Sequence, residues 1–118
     1  MTYVDGFVLA VPKTKKGDYR AFAAKMAPIF KKHGATSLVE CWADDVPDGK
    51  VTSFPMAVKC ADDEAVVFAW ITWPDKTARD AGNKRAMQDA EAAGMNPADM
   101  PFDGQRMIFG GFEVIVEE

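Results

Sequence analysis

The stretch Glu64–Pro74, E-A-V-V-F-A-W-I-T-W-P, is the most apolar run of the chain and decides its fold. It is rich in β-branched and aromatic residues and ends at a proline, which is typical of a β-strand. Its two faces would carry Val66, Phe68, Trp70 and Thr72 on one side and Ala65, Val67, Ala69, Ile71 and Trp73 on the other. Because both faces are mostly apolar, we expect this strand to lie inside a sheet that is covered on both sides.

Three further strands and two long helices are expected around this strand. The expected strands are Tyr3–Val11, Thr36–Asp44 and Arg106–Glu117, the last with a bulge at Gly110-Gly111. The expected helices are Asp18–His33 and Asp75–Ala93, each with its aspartate as N-cap and a glycine, Gly34 or Gly94, as its stop. A short helical segment at 54–59 would follow a cap at Thr52 or Ser53.

Periodicity also assigns the faces of these helices. In the first helix the core-facing stripe comprises Tyr19, Phe22, Ala23, Met26, Phe30 and His33. The second helix has a shallow apolar stripe and contains Gly82, which costs about 1 kcal/mol relative to alanine in a helix interior. Because small residues let a helix lie close to a sheet, we interpret Gly82 as a packing feature.

The order strand, helix, strand, strand, helix, strand is that of the ferredoxin-like α+β fold, in which both helices cover one face of a four-stranded antiparallel sheet. The opposite face would then be open, although the first, third and fourth strands are apolar on both faces. An open apolar face of that size exceeds what a soluble monomer normally exposes. We therefore expect a homodimer packed sheet to sheet, an α+β barrel. Which face of Glu64–Pro74 meets the helices is left open.

Composition limits the class of protein. The 118 residues predict a single domain, 1–118, and a net charge of −4 argues against a nucleic-acid partner. No apolar run reaches the ~20 residues of a membrane span, and the N-terminal strand does not resemble a signal peptide. Cys41 and Cys60 match no zinc spacing and are typical of a reducing, cytoplasmic compartment. We expect neither a metal nor a cofactor.

Three long segments then point to a family. They are H-G-A-T-S-L-V-E-C-W-A-D-D-V-P-D-G-K-V-T-S-F (His33–Phe54), V-V-F-A-W-I-T-W-P (Val66–Pro74) and M-P-F-D-G-Q-R-M-I-F-G-G-F (Met100–Phe112). They resemble the YbaA-like proteins, a small bacterial family of unknown function, over nearly the whole chain. The resemblance implies the dimeric α+β barrel fold. It implies no activity, because the wider superfamily includes monooxygenases, isomerases and haem-handling enzymes, and fold analogy does not select a reaction.

Five residues are candidates for chemistry, each with a structural alternative. His33, the one histidine, is a candidate general base or a helix C-terminal residue that interacts with the helix dipole. Glu40 shares a strand face with Trp42, so that desolvation would raise its pKa for acid–base work. Alternatively it lies near a sheet edge or pairs with an arginine of the partner chain. Trp42 and Trp70 would line a ligand pocket or belong to the core or dimer interface. Arg106 would hold a ligand carboxylate or form an ion pair.

These candidates support three functions. The first, which the sequence favours, is a small-molecule-binding or structural homodimer without established catalysis. The second is a cofactor-free enzyme, monooxygenase- or isomerase-like, that acts on a small planar or acidic metabolite with His33 or Glu40 as proton carrier. The third is a protein-interaction module, which would require apolar surface left exposed after dimerisation.

Overall fold

A computed structural model of the protein describes residues 2–118. Its strands are β1 (Tyr3–Pro12), β2 (Ser37–Trp42), β3 (Glu64–Trp73) and β4 (Ile108–Glu113), and its helices are α1 (Lys16–Lys32), α2 (Phe54–Ala57) and α3 (Lys76–Ala92). Short 3-10 turns occupy Lys13–Lys15, Pro97–Asp99 and Gly104–Arg106. The order of the six long elements is the predicted one, and α2 is the predicted short helix between β2 and β3.

The sheet has the strand order β2-β3-β1-β4, and every neighbouring pair is antiparallel. β3 therefore lies inside the sheet, as predicted, while β2 and β4 form its edges. The helices α1 and α3 pack against the same face and against each other, which confirms the ferredoxin-like α+β fold. Among the described residues, no helix has the length and apolar content that crossing a bilayer requires.

The structure resolves which face of β3 meets the helices. Trp73 is fully buried on that face, and its ring packs edge-on against Phe30 of α1 at 6.3 Å between centroids. Val67 and Ile71 lie on the same side, among buried residues of α1 and α3. The core therefore sits between the odd-numbered side chains of β1 and β3 and the two long helices.

The other side of the sheet, here called the open face, is covered at one end only. There α2 and the residue after it pack Val58 against Val8, Ala10 and Val66. Beyond this cover the open face keeps large apolar side chains in solvent: Phe68 is 44% exposed, Ile108 45% and Phe112 62%. These side chains form an exposed apolar patch of the kind that a partner surface covers.

Most predicted helix ends are confirmed. The Ser53 hydroxyl accepts a hydrogen bond from the Met56 backbone N–H, and the Asp75 carboxylate accepts one from that of Ala78. Gly34 and Gly94 have φ of 109° and 80° and end α1 and α3. The prediction of Asp18 as N-cap is wrong: the 3-10 turn Lys13–Lys15 leads directly into α1, which begins at Lys16, so that Asp18 lies in its first turn.

The predicted bulge at Gly110-Gly111 is also wrong. β4 pairs with β1 in unbroken register, with Gly110 opposite Gly6. Phe112 and Ile108 therefore share the open face. The Phe112 ring lies over both Gly6 and Gly110, 3.6 Å from where a Cβ would project at either position. A methyl group at either position would only be in van der Waals contact with this ring, and the two glycines pair without interrupting the ladder.

Candidate functional site

A cleft of about 480 Å³ lies between α1 and the edge strand β2. We call it the α1–β2 cleft, and its lining residues are Lys16, Tyr19, Arg20, Ala23, Ala24, Ala27, Leu38, Glu40, Cys41, Trp42 and Val67. The helix contributes three alanines to the wall, and these short side chains leave the space that larger residues would fill. Mostly apolar walls with a few polar groups are the usual make-up of a small-molecule site.

The central polar feature of the cleft is a hydrogen bond of 2.6 Å from the Tyr19 hydroxyl to Oε1 of Glu40. Tyr19 is 6% exposed, and its ring is packed by Phe22 at 6.2 Å and by Phe102 at 5.7 Å between centroids. Phe102 comes from the loop before β4, which closes over this end of the core. The phenol is therefore held in one orientation, pointing at the strand.

Burial raises the pKa of Glu40 above its ordinary value, and the hydrogen bond from Tyr19 acts against this by favouring the charged form. Glu40 keeps exposed surface because β2 is an edge strand. Burial also raises the pKa of Tyr19, and the neighbouring charge of Glu40 raises it further. The phenol is thus a fixed, protonated donor beside a carboxyl group that holds its proton more tightly than a solvated glutamate. Such a carboxyl group can accept and return a proton.

Two cations line the half of the cleft nearer the start of α1: Lys16 at its end, and Arg20 one helical turn further on, beside Tyr19. The Lys16 ammonium lies over the Trp42 ring, 5.2 Å from its centroid, a cation–π contact. Within residues 2–118, neither Lys16 nor Arg20 has a carboxylate oxygen within 4.0 Å. Both side chains are exposed. The first half of the cleft therefore carries two exposed cations that form no ion pair among the described residues.

Of the five residues that the sequence predicted, the structure brings together Glu40 and Trp42. His33 lies at the far end of α1, fourteen residues beyond Tyr19, which is roughly 21 Å along a helix axis. There its Nε2 lies 2.6 Å from Oδ2 of Asp89 on α3. This contact is the main reason that the pKa of Asp89 is lowered. His33 thus pairs the ends of the two long helices, away from the cleft.

Arg106 and Trp70 also lie elsewhere. The guanidinium of Arg106 donates to both carboxylate oxygens of Glu64 at 2.8 and 2.7 Å, to Asp103 at 3.0 Å and to the Lys59 carbonyl at 2.8 Å. Its donors are therefore committed within the chain. Trp70 lies on the open face beside Phe68, with ring centroids 5.5 Å apart, so that the sheet itself separates it from Glu40.

Sequence reasoning missed Tyr19, Lys16 and Arg20 as site residues. Helical periodicity placed Tyr19 in the core stripe, and the residue is indeed buried. The signal that could have found it is its hydroxyl, since a buried tyrosine needs a hydrogen-bond partner and Glu40 is the acid on the facing strand. The two cations gave no such signal, because their role depends on which edge strand α1 packs against.

Comparison with known proteins places this chain in a family. The profile of a family described as "Protein of unknown function (DUF1428)" matches residues 2–104. The chain is 58% identical, over all 118 residues and 100% of both chains, to "Uncharacterized protein YbaA" of Escherichia coli (strain K12). The protein of that name from Shigella flexneri matches to the same extent. The resemblance inferred from the three sequence segments is confirmed.

Two solved structures share the fold. A dimeric ferredoxin-like protein from an uncultured marine organism has a TM-score of 0.58 at 12% identity, covering 99% of this chain and 98% of that one. A mutant of SnoaB, a cofactor-independent oxygenase from Streptomyces nogalater, has a TM-score of 0.55 at 14% identity, covering 98% and 93%. At such identities the likeness supports the architecture and leaves the chemistry to this chain's own residues.

Proposed function

Because the chain belongs to the DUF1428 family, whose matched relatives carry no assigned activity, we propose from its own geometry that it is a small-molecule-binding homodimer. Each protomer is one ferredoxin-like domain, residues 1–118. The observation that carries the binding function is the α1–β2 cleft with the hydrogen-bonded Tyr19–Glu40 pair in its wall.

The cleft supports binding because it leaves a hydrogen-bonded, partly exposed carboxyl group beside empty space. A pair with a purely structural role would be covered by side chains, as Asp5 is beneath α3, where Trp73 and Arg79 enclose its carboxylate. Around Glu40, by contrast, the three alanines of α1 leave room for a small metabolite. Ligand binding would complete the burial of the carboxyl group.

A thermal-shift screen against metabolites tests this proposal, because specific binding raises the apparent stability of the folded state. The discriminating variant is Ala24→Phe, which fills the cleft from α1, and the matched control is Ala21→Phe, on the same helix but outside the cleft. A ligand that stabilises the wild type and Ala21→Phe, but not Ala24→Phe, supports the proposal. Ligands that stabilise all three proteins equally would place binding elsewhere.

Dimerisation through the open face completes this proposal. The exposed side chains Phe68, Ile108 and Phe112 form one apolar patch on the sheet, and a related fold occurs in a protein described as dimeric. Packing two such sheets face to face would bury these rings in both copies. We also place the dimer in the cytoplasm, since Cys41 and Cys60 are free thiols, as suits a reducing compartment.

Sedimentation velocity at micromolar concentration tests the dimer. Phe68→Glu puts a charge in the centre of the open face and should give monomers. Phe109→Glu is the matched control, because Phe109 is 70% exposed on the same edge strand as Ile108 but lies on the opposite side of the sheet, stacked on Phe7. A wild-type protein that sediments as a monomer would overturn the proposed assembly.

A second candidate function is that of a cofactor-free enzyme. The observation that favours it is the raised pKa of Glu40 beside the fixed donor Tyr19, since a carboxyl group that titrates closer to neutrality is a better proton carrier. Once a ligand is known, Glu40→Gln separates the two functions. An enzyme would lose turnover and retain binding, whereas a binding protein would show no turnover in either form.

A further inference from the structure

We propose that the ligand of the α1–β2 cleft is an amphipathic monoanion, with its charged head at Lys16 and Arg20 and its apolar body along the alanines of α1. The inference rests on the proposed binding function and adds the chemical class and the orientation of the ligand. Three features of the cleft carry it: an ordered change of polarity along its length, two cations without an ion-pair partner in its first half, and a single acid among its lining residues.

The first feature is the polarity of the cleft along α1. From Lys16 to Ala27 the helix advances roughly 17 Å. At one end Lys16 lies over Trp42, and in the middle Tyr19 meets Glu40. At the other end Leu38 packs beside the core cluster that includes Met26 and Phe30, so the wall there is apolar. A ligand that lies along this cleft therefore meets Lys16 first, then Arg20 at the level of the Tyr19–Glu40 pair, and then apolar surface.

The second feature is the pair of cations in the first half of the cleft. The chain carries a net charge of −4, whereas Lys16 and Arg20 have no carboxylate oxygen within 4.0 Å among the described residues. Lys16 is held in place by Trp42, and Arg20 follows one helical turn later on the same side of α1. A carboxylate or another compact anion would complete this pair with charge-assisted hydrogen bonds. An organic cation would be repelled there.

The third feature limits the ligand to one negative charge. Glu40 is the single acid among the lining residues, and its position beside Tyr19 puts it next to the middle of a bound ligand. A second anionic group on the ligand would face this carboxyl group, and like charges at such short range repel each other. A neutral, apolar body past Glu40 fits the alanine wall and Leu38.

Four eight-carbon probes separate the charge classes: octanoate, octanol, octylamine and the dianion suberate. We expect isothermal titration calorimetry to show that octanoate binds at least about tenfold more tightly than each of the other three, the size of effect expected from about 1.4 kcal/mol of charge interaction. The binding of octanoate should weaken as salt is added, because the cations are exposed. Equal affinities for octanoate and octanol, or tighter binding of octylamine, would overturn the inference.

The double variant Lys16→Met, Arg20→Met tests the proposed head site. It should bring the octanoate-to-octanol ratio close to one, while Lys25→Met, on α1 but outside the cleft, leaves the ratio unchanged. His33→Gln is a second control with no expected effect. A preference for octanoate that persists in the double variant, with circular dichroism showing a folded protein, contradicts the assignment of the head site.

The failure of this inference can be told apart from that of the proposed function. If the metabolite screen yields a ligand that Ala24→Phe blocks and that ligand is neutral, cationic or dianionic, the cleft binds small molecules and the monoanion assignment is wrong. If neither the probes nor the screen yields a ligand that Ala24→Phe blocks, both the proposed function and the inference are wrong.

Discussion

The hydroxyl of Tyr19 on α1 and the carboxylate of Glu40 on β2 are joined by a 2.6 Å hydrogen bond across a cleft that is otherwise largely apolar. This contact couples the first long helix to an edge strand and aims a carboxyl group at open space. Folding raises the pKa of Glu40, so the pair also links the stability of the protein to pH.

We predict that Glu40→Gln is increasingly stable relative to the wild type as the pH rises. Because folding raises the pKa of Glu40, its favourable contribution is fully present below the ordinary glutamate value of about 4.3 and is lost as pH rises through the folded-state value. Glutamine mimics the protonated form at every pH. Urea unfolding between pH 4 and 7 should show a growing difference, below about 1 kcal/mol because Glu40 is partly exposed.

Tyr19→Phe provides the control for this prediction. It removes the hydrogen bond that lowers the pKa of Glu40 and leaves the desolvation that raises it. The pH dependence should therefore be steeper in Tyr19→Phe than in the wild type. Identical pH profiles for the wild type and Glu40→Gln would show that Glu40 does not titrate differently on folding.

The ion pair between Glu64 and Arg106 should govern stability in acid. The hydrogen bonds from Arg106 lower the pKa of Glu64 to about 2, and the Glu64 side chain is 8% exposed. Because this folded-state pKa lies below the unfolded value of about 4.3, the stabilisation is present above that value and is lost as pH falls toward 2. We predict that Arg106→Met lowers the melting temperature at pH 7 by about 5 °C or more.

The matched variant for this pair is Asp103→Asn. Asp103 accepts from Nε of the same guanidinium at 3.0 Å, but its side chain is 47% exposed, so its loss should matter less. The melting temperatures of the wild type and Arg106→Met should converge as the pH approaches 2. A constant difference from pH 7 to pH 2 would contradict the proposed role of Glu64.

Replacing Gly82 of α3 should destabilise the protein, although glycine is unfavourable inside a helix. A Cβ at this position would clash with the Trp73 ring and with the His33 carbonyl oxygen, so α3 lies this close to the sheet only because the side chain is absent. Gly82→Ala gains about 1 kcal/mol in helix propensity but should lose about 1–3 kcal/mol to overpacking. Gly17→Ala in α1, where a Cβ meets nothing within 4 Å, should be stabilising instead. Urea unfolding of both variants measures the two effects.

Much of the fold could be predicted because it depends on local patterns. The apolar run at Glu64–Trp73, the cap at Asp75 and the left-handed Gly34 each leave a local signature, and each was confirmed. The orientation of β3 could not be predicted, because both of its faces are apolar. The regular register at Gly110 pairs it with Gly6 of another strand, and a local sequence pattern does not show such a pairing.

The site was less predictable for the same reason. Glu40 and Trp42 could be named as neighbours because alternation along one strand places them on one face. Tyr19 contacts Glu40 and Lys16 contacts Trp42, and each pair is separated by more than twenty residues. These contacts form only because α1 packs on β2. His33 was a candidate because it is the one histidine of the sequence. Its contact with Asp89, on the other long helix, could not be predicted from a local pattern.

Asp5, which interrupts the apolar pattern of β1, should prove essential to the packing of α3. It is 6% exposed, and its carboxylate accepts from Trp73 Nε1 at 2.9 Å and from the Arg79 guanidinium at 2.8 to 3.2 Å. Removing the cation would leave a buried charge without its ionic partner, which typically costs about 3 kcal/mol or more. We predict a loss of that size in the unfolding free energy of Arg79→Met.

The double variant Asp5→Leu, Arg79→Met shows whether this loss comes from the unpaired charge of the Asp5 carboxylate. If it does, removing the carboxylate as well should recover much of the stability, because an apolar pair avoids the cost of desolvating two ions. Arg79→Met should also shift the emission of Trp73, whose indole N–H contacts the same carboxylate. Urea unfolding followed by tryptophan fluorescence measures both effects. A double variant that is no more stable than Arg79→Met alone would show that the lost packing of Arg79 against Tyr3, and not the unpaired charge, causes the destabilisation.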